Sequence, residues 1–451
     1  MGQIDLPLKD EMFEFYKKVF RGNVKKYAKD KIDKEKFEAL SKEKRKMLYA
    51  RKIGKNRTLD LKEISKQMPV LCYISERRNI KPFEGKRFII VLHFLKDLIP
   101  FLQCCIKCGL DPSETVLFYK EYLYPHREVI KNYLEERLKF KRIYSLNRVD
   151  EVLAEIQNTW QKNEKDILII EDGGYIVPRV HTKFRTIGKK VIGAVEQTSK
   201  GEREDKGIRK LYFPVLSVAS CKFKRNYEPP HIAREVVDSI RQLIRRDFSP
   251  RPALVVGYGS IGSEIARDLR GHHGMDVEVT DKDEIALAGA ASHGFRIADR
   301  TEEAVKNKFL VIGTTGEGSI HKSEILAMDN ETYLLSASSD QIEIDLEDLE
   351  ALAEKKDEIL SEGKKIGTRY TIRGTNNAIN LIADGFPVNF WYRESMPNEV
   401  SDLILGLIFA TAIELSQNYR KYGKKVNSEE VDKITYKYEI AKMYLQLRRK
   451  R

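Results

Sequence analysis

Ala253-Leu254-Val255-Val256-Gly257-Tyr258-Gly259-Ser260-Ile261-Gly262 decides the architecture. A short apolar, β-branched run reads as a buried strand. The G-x-G-x-x-G that follows it opens a helical pattern from Ser263 to Leu269. Alone, such a motif can be a plain glycine turn. Between a strand and a helix, the first glycine allows the tight turn, the second lets backbone approach a pyrophosphate, and the third lets the helix pack on the sheet. Unpaired N–H groups of the first helical turn would face the phosphates, so Gly257, Gly259, Ser260, Ile261 and Gly262 are the expected contacts. Asp281 ends the next strand, Val277 to Asp281, about 20 residues further on, where a carboxylate accepts hydrogen bonds from ribose hydroxyls and repels a 2′-phosphate. NAD is therefore the expected cofactor. Thr314 and Thr315, in the small-residue loop Gly313 to Gly316, stand at the same edge of the sheet.

Strands and helices alternate outward from this stretch. Phe309 to Ile312 and Tyr333 to Leu335 continue the series after it, and a first series precedes it. That series has strands at Phe88–Leu92, Thr115–Tyr119, Arg142–Tyr144 and Asp166–Ile170. Helical periodicity runs over Leu95–Cys108, with Pro100 expected to kink it, over Arg127–Leu138 and over Val149–Trp160. Such alternation implies parallel sheets covered on both faces. The fold class expected is α/β, with two doubly wound Rossmann-like domains joined near the helix Ala233–Ile244 and a helical N-terminal extension.

Charge divides the chain differently. The 451 residues hold 81 Lys+Arg and 68 Asp+Glu, a formal net charge of +13. Residues 1–60 contribute +8 and residues 419–451 contribute +7, which leaves the 358 residues between them at −2. Residues 8–58 read as two amphipathic helices. With 41% hydrophobic residues, 27 Gly and 14 Pro, collagen, low-complexity disorder and disulfide-dense modules are excluded. The five Cys and the absence of an apolar leader point to a reducing cytoplasmic setting. Cys104, Cys105 and Cys108 lie in an apolar helical stretch and read as core rather than as metal ligands. Leu403 to Ile413, the longest apolar stretch, is shorter than the ~20 residues that span a bilayer.

In this order the motifs resemble the S-adenosylhomocysteine hydrolase (adenosylhomocysteinase) family from about residue 62 to 418. Glu84-Gly85-Lys86-Arg87 leads into a strand ending at His93. Glu171-Asp172-Gly173-Gly174, Glu196 to Gly201, the glycine motif, Asp281, Gly313 to Gly316, Ile342 to Asp345 and Gly385 to Asn389 follow. The resemblance implies a reaction in which bound NAD oxidises a ribose 3′-hydroxyl, the C4′ proton becomes acidic, and a 5′ thiol leaves and is replaced by water. It implies proton-transfer roles at the 5′ position for His93 and Asp172, a ribose contact for Thr198, an adenine contact for Asp97 and a nicotinamide contact for Asn389. It divides the chain into a substrate-binding domain (62–232 and 398–418) and an NAD-binding domain (233–397). A basic extension (1–61) and a basic tail (419–451) flank them.

Several residues depart from the family pattern. Ser220 replaces the lysine that serves the 3′-hydroxyl and Lys224 replaces its Asp, so Lys224 and Glu228 are the candidates to restore that charge pair. Gln197 stands for a ribose-binding Glu; an amide hydrogen-bonds but does not accept a proton at neutral pH. Ala233 replaces a Cys, Ser338-Ser339 a Gly-His pair and Met396 a His. Near the C-terminus Tyr444 is kept, but Ile440 stands where a lysine would reach a neighbouring subunit's cofactor, and Lys437 and Lys442 are out of register. The expected activity is thus NAD-dependent chemistry on an adenosine-type nucleoside or thioether. The alternative is a catalytically impaired NAD- or nucleoside-binding regulator. A homo-oligomer is expected, and the basic termini suit nucleic acid or another anionic partner.

Overall fold

A computed structural model describes residues 61–76, 81–122, 124, 126–160, 164–338, 340–375 and 377–449. The two helices expected within residues 8–58 lie outside the described residues. Strands β1 (Arg87–Val91), β2 (Thr115–Tyr119), β3 (Arg142–Ser145), β4 (Ile167–Glu171), β5 (Val191–Glu196) and β6 (Val215–Ser217) belong to one sheet. The other holds β7 (Pro252–Val256), β8 (Asp276–Thr280), β9 (Arg296–Ala298), β10 (Leu310–Gly313), β11 (Thr332–Ser336), β12 (Ala353–Ser361), β13 (Lys364–Ile372) and β14 (Ala378–Ile382). The two-residue β15 (Val426–Asn427) returns to the first sheet beside β6.

The first sheet runs β15-β6-β5-β4-β1-β2-β3 and is parallel throughout. The second runs β12-β13-β14-β11-β10-β7-β8-β9; all its pairings are parallel except those of β13 with its two neighbours. Both contain the doubly wound order, which reverses between β1 and β4 and again between β7 and β10. Ligands bind in such sheets at the carboxyl ends of the strands flanking that reversal. Each sheet is buried on both faces. Phe88 and Ile90 of β1 join the core under the helices Leu98–Lys107 and Arg127–Glu136, while Ile89 and Val91 join the core under Val149–Trp160.

Sequence and structure differ in three places. Pro100 does not kink a helix: the helix is Leu98–Lys107, so its ring falls in the first turn, where a backbone N–H has no intrahelical acceptor to lose. The junction helix starts earlier than Ala233, at Pro229, and runs to Ile244. The basic tail contains helices that the sequence reading did not assign. They are Glu429–Lys437 and Ile440–Arg449, whose Val431, Ile434 and Ile440 are buried in the first sheet's core.

The helix Asn398–Asn418 carries the chain back from the second sheet to the first. It is buried from Val400 to Ser416, which explains its apolar character on all sides. Asp402 on this helix accepts the N–H groups of Val70 (2.9 Å) and Leu71 (2.8 Å), capping the helix Pro69–Glu76.

Candidate functional site

The carboxyl ends of β1, β4, β7 and β10 converge on one cleft of about 390 Å³. It is lined by His93, Asp97, Asp172, Gln197, Thr198, Lys224 and Glu228 on one side, and by Gly259, Ser260, Ile261, Thr314, Thr315 and Asn389 on the other. Residues far apart in sequence thus face each other because both sheets present their reversal points to the same space.

On the second sheet, Gly257 has φ +100, and a Cβ on Gly262 would lie 2.0 Å from the Gly257 carbonyl oxygen and 2.5 Å from Thr314 Oγ1. The glycines are therefore required by close packing of the turn on the helix Ser260–Gly271. That helix is capped by Gly259 without any side-chain hydrogen bond, so its first N–H groups face the cleft unpaired. Asp281 follows β8 and its Oδ2 accepts the Tyr258 N–H at 2.5 Å, which draws the carboxylate against the glycine turn. Thr314 Oγ1 donates to the Gly257 carbonyl (2.8 Å). Glu343, fully buried, accepts the Gly316 N–H (2.5 Å) and the Thr315 hydroxyl (2.9 Å), and so fixes the loop. Asn389 is 2% exposed and its Oδ1 has no partner among the described residues. An orphaned amide oxygen, a phosphate-sized glycine turn and an unpaired helix end fit a dinucleotide carrying a carboxamide.

On the first sheet, His93 Nε2 lies 3.3 Å from Asp172 Oδ2, its Nδ1 lies 3.0 Å from the Tyr122 hydroxyl, and its ring stacks on Phe390 with centroids 4.3 Å apart. Asp172 is 2% exposed and holds two more contacts: the Gln197 amide donates to Oδ2 and the Lys120 ammonium to Oδ1. Burial alone would raise the Asp172 carboxyl, but Lys120 and His93 outweigh it and hold it well below the usual carboxylate range. Lys120 is itself buried and also reaches Asp340 Oδ1 at 3.2 Å. Burial would lower its ammonium; Asp172 and Asp340 together raise it.

Lys224 and Glu228 lie 3.3 Å from each other, one turn apart where the short helix Lys222–Tyr227 meets the long helix Pro229–Ile244. Lys224 Nζ also donates to the Gln197 carbonyl at 2.7 Å. Ser220 does not line the cleft, whereas Lys224 and Glu228 do. Thr198 caps the helix Ser199–Lys206, its hydroxyl accepting the Gly201 N–H at 3.0 Å. Asp97 lies at the cleft wall, where burial, Glu394 and a bond from Ser401 set its carboxyl to about 7. Ser338 and Met396 also line the cleft, and Ser339 lies outside the described residues.

Sequence reasoning missed Lys120, Tyr122 and Asp340. Lys120 reads as an ordinary strand-end charge, and only the fold reveals the two carboxylates beside it. At the C-terminus, Ile440 is fully buried, Lys437 pairs with Glu414 at 2.5 Å and Lys442 with Glu439 at 2.6 Å.

Comparison with known proteins agrees with this geometry. Residues 231–392 match the family model described as S-adenosyl-L-homocysteine hydrolase, NAD binding domain. Adenosylhomocysteinase of Thermoplasma acidophilum is 28% identical over 379 residues, covering 83% of this chain and 90% of that protein. S-inosyl-L-homocysteine hydrolase of Methanopyrus kandleri is 27% identical over 398 residues, covering 84% and 89%. Adenosylhomocysteinase of Thermotoga maritima is 28% identical over 369 residues, covering 80% and 88%.

Proposed function

We propose that the chain, a divergent relative of S-adenosylhomocysteine hydrolases by its similarity to them over most of its length, is an NAD-dependent hydrolase of a purine-nucleoside thioether. The observation that carries this reading is the single cleft in which the glycine turn and Asn389 face His93, Asp172, Lys224 and Glu228. NAD, when bound, supplies the hydride acceptor for the ribose 3′-carbon. The chain's own residues bind, orient and move protons. Gly257, Gly259, Ser260, Ile261 and Gly262 take the pyrophosphate, Asp281 the adenosine ribose, Thr314 and Thr315 flank the path, and Asn389 offers Oδ1 to the carboxamide.

The Lys224–Glu228 pair holds the 3′-hydroxyl: Lys224 gives a proton to the Glu228 carboxylate beside it and takes the hydroxyl's proton at Nζ, which the Gln197 carbonyl keeps in position. A group positioned this way contributes about 10²–10⁴ in rate. His93, held by Tyr122 and Asp172, passes a proton to the leaving 5′ sulfur through Nε2 and recovers one from the incoming water. Thr198 and Gln197 contact the ribose. Asp97, with its carboxyl near 7, offers either an acceptor to a 6-amino group or a donor to a 6-oxo group, so adenosyl and inosyl thioethers are both within its chemistry. In this reading residues 62–232 and 398–418 hold the substrate and 233–397 the cofactor.

A second reading is favoured by one observation. Asp172 is tied at once to Lys120, Gln197 and His93, and a carboxylate held so low is a weak base. A ligand-binding regulator with impaired turnover would look the same. NAD-loaded protein, incubated with S-adenosylhomocysteine and with S-inosylhomocysteine, separates the two when thiol release and NADH absorbance are followed. Thiol release from either thioether is the result expected. Tight nucleoside binding with neither signal would overturn the hydrolase reading in favour of the regulator.

A further inference from the structure

Beneath the loops that carry Asp172 and Gln197 lies a second cluster with no part in the steps above. Glu171 ends β4, Glu196 ends β5 and Asp205 projects inward from the helix Ser199–Lys206. All three are fully buried, and one oxygen of each lies within 4.8 Å of the others. Glu171 accepts the N–H groups of Tyr175 (2.8 Å), Ile176 (2.7 Å) and Val177 (3.0 Å). Glu196 accepts those of Gly173 (3.1 Å), Gly174 (3.1 Å) and Thr198 (2.7 Å), and the Thr198 hydroxyl (2.7 Å). Asp205 differs: neither carboxylate oxygen has any partner among the described residues.

Two like charges about 4 Å apart repel by roughly 4 kcal/mol even at an effective dielectric of 20. Three buried carboxylates therefore need protons or a cation. No Lys or Arg among the described residues is paired with any of them, and Glu171 Oε1 and Glu196 Oε2 each accept a single backbone N–H, which leaves one lone pair on each for a cation. An all-oxygen, anionic, dehydrated site suits a hard cation. Calcium tolerates irregular geometry and bidentate carboxylates, whereas magnesium keeps several waters. We propose that Glu171, Glu196 and Asp205 hold one divalent cation of the calcium class, with Asp205 as the open, bidentate end. The ion ties β4, β5 and the helix Ser199–Lys206 together directly under the cleft. In its absence burial raises all three groups, Asp205 to about 10 and Glu196 to about 8, so the vacant cluster takes up protons instead.

Full-length protein dialysed against a chelator and then against Ca²⁺, Mg²⁺ or Mn²⁺ tests this by elemental analysis and by melting temperature. One retained equivalent of Ca²⁺ per chain, with a melting temperature that climbs with Ca²⁺ concentration, is expected. Asp205→Asn mimics a protonated aspartate, so it should fold but lose both effects. No retained metal and no Ca²⁺-dependent shift in the unmodified chain would overturn the proposal in favour of shared protons. So would an Asp205→Asn protein that keeps both.

Discussion

Lys120 holds carboxylates from both halves of the molecule, and its removal has a calculable sign. Asp172 titrates below its unfolded value, so its stabilising contribution is present above pH about 4 and is lost as pH falls through the folded value. In Lys120→Met the larger opposing charge is gone and only His93 is left against burial, so the Asp172 carboxyl rises. Because an opposite charge at contact lowers a carboxyl by about 1–3 units, the acid limb of kcat/KM should move up by a similar amount, while Lys120→Arg should restore most of it. A pH–rate profile that stays in place would separate Asp172 from the chemistry. The charge pair gives a second residue-level expectation: Lys224→Met and Glu228→Gln should each cost about 10²–10⁴ in kcat and leave NAD affinity within a few fold, as read by single-turnover NADH formation and calorimetry. How legible these residues are in sequence depends on what they touch. His93 and Asp172 stand at motif positions, and Lys224 and Glu228 at departures from one, so local sequence singles all four out; Lys120 and Asp340 matter only through partners 52 and 220 residues away, which no local pattern encodes.

Elements were legible wherever their pattern was periodic. β1, β2, β4, β7 and β10 are continuous apolar runs of parallel-sheet type, and the glycine motif between β7 and its helix is explained atom by atom. Gly262→Ala tests that explanation. Its Cβ would fall 2.0 Å from the Gly257 carbonyl, so the turn must open and the helix must shift. NAD affinity should fall at least tenfold, while the first sheet, whose core does not include this turn, keeps its hydrogen-exchange protection. The elements that escaped notice have physical reasons for doing so. β12 carries Ala353-Glu354-Lys355-Lys356-Asp357-Glu358 and is largely exposed, because it forms the outer strand of an antiparallel hairpin. β6 is only three residues long, and β5 contains Gly193, where a Cβ would meet Leu415 at 2.8 Å. The last two helices were masked by charge: Glu429-Glu430, Lys433 and Lys437 surround the buried Val431 and Ile434. Burying each such side chain contributes roughly 1.5–3 kcal/mol, so Val431, Ile434 and Ile440 together amount to a large part of a typical 5–15 kcal/mol stability. Removing residues 426–451 should therefore yield a protein that melts at least 10 °C lower or fails to fold, in thermal denaturation followed by circular dichroism.

At the scale of the whole molecule, the functional seam is the gap between the two sheets, bridged by Phe390, which packs on His93 and Tyr122, and by a set of charge contacts. Asp340, beyond β11, receives Lys120 at 3.2 Å, Lys200 at 2.7 Å and the Tyr175 hydroxyl at 2.5 Å, all from the first half. Arg203 donates to the Gly316 carbonyl at 2.6 Å and lies 3.3 Å from Glu317. These contacts close the cleft on the side of the phosphate loop; the Lys120–Asp340 pair is buried, whereas Arg203 and Glu317 are partly exposed and a pair of that kind is individually weak. A seam of this kind should open at modest cost and close on ligand. Asp340→Ala removes three contacts from its centre and leaves Lys120 with Asp172 alone. The two sheets keep their own cores, so the melting transition of each should change little. Closure should suffer instead: KM for the thioether should rise at least tenfold, and small-angle scattering with NAD and nucleoside bound should show a larger radius of gyration than the unmodified chain under the same conditions. High salt should reproduce part of that change in the unmodified chain, since screening weakens charge contacts that are open to solvent. An Asp340→Ala protein with unchanged KM and scattering would mean that the cleft is held shut by the buried crossing helices Pro229–Ile244 and Asn398–Asn418, with the charged seam only following them.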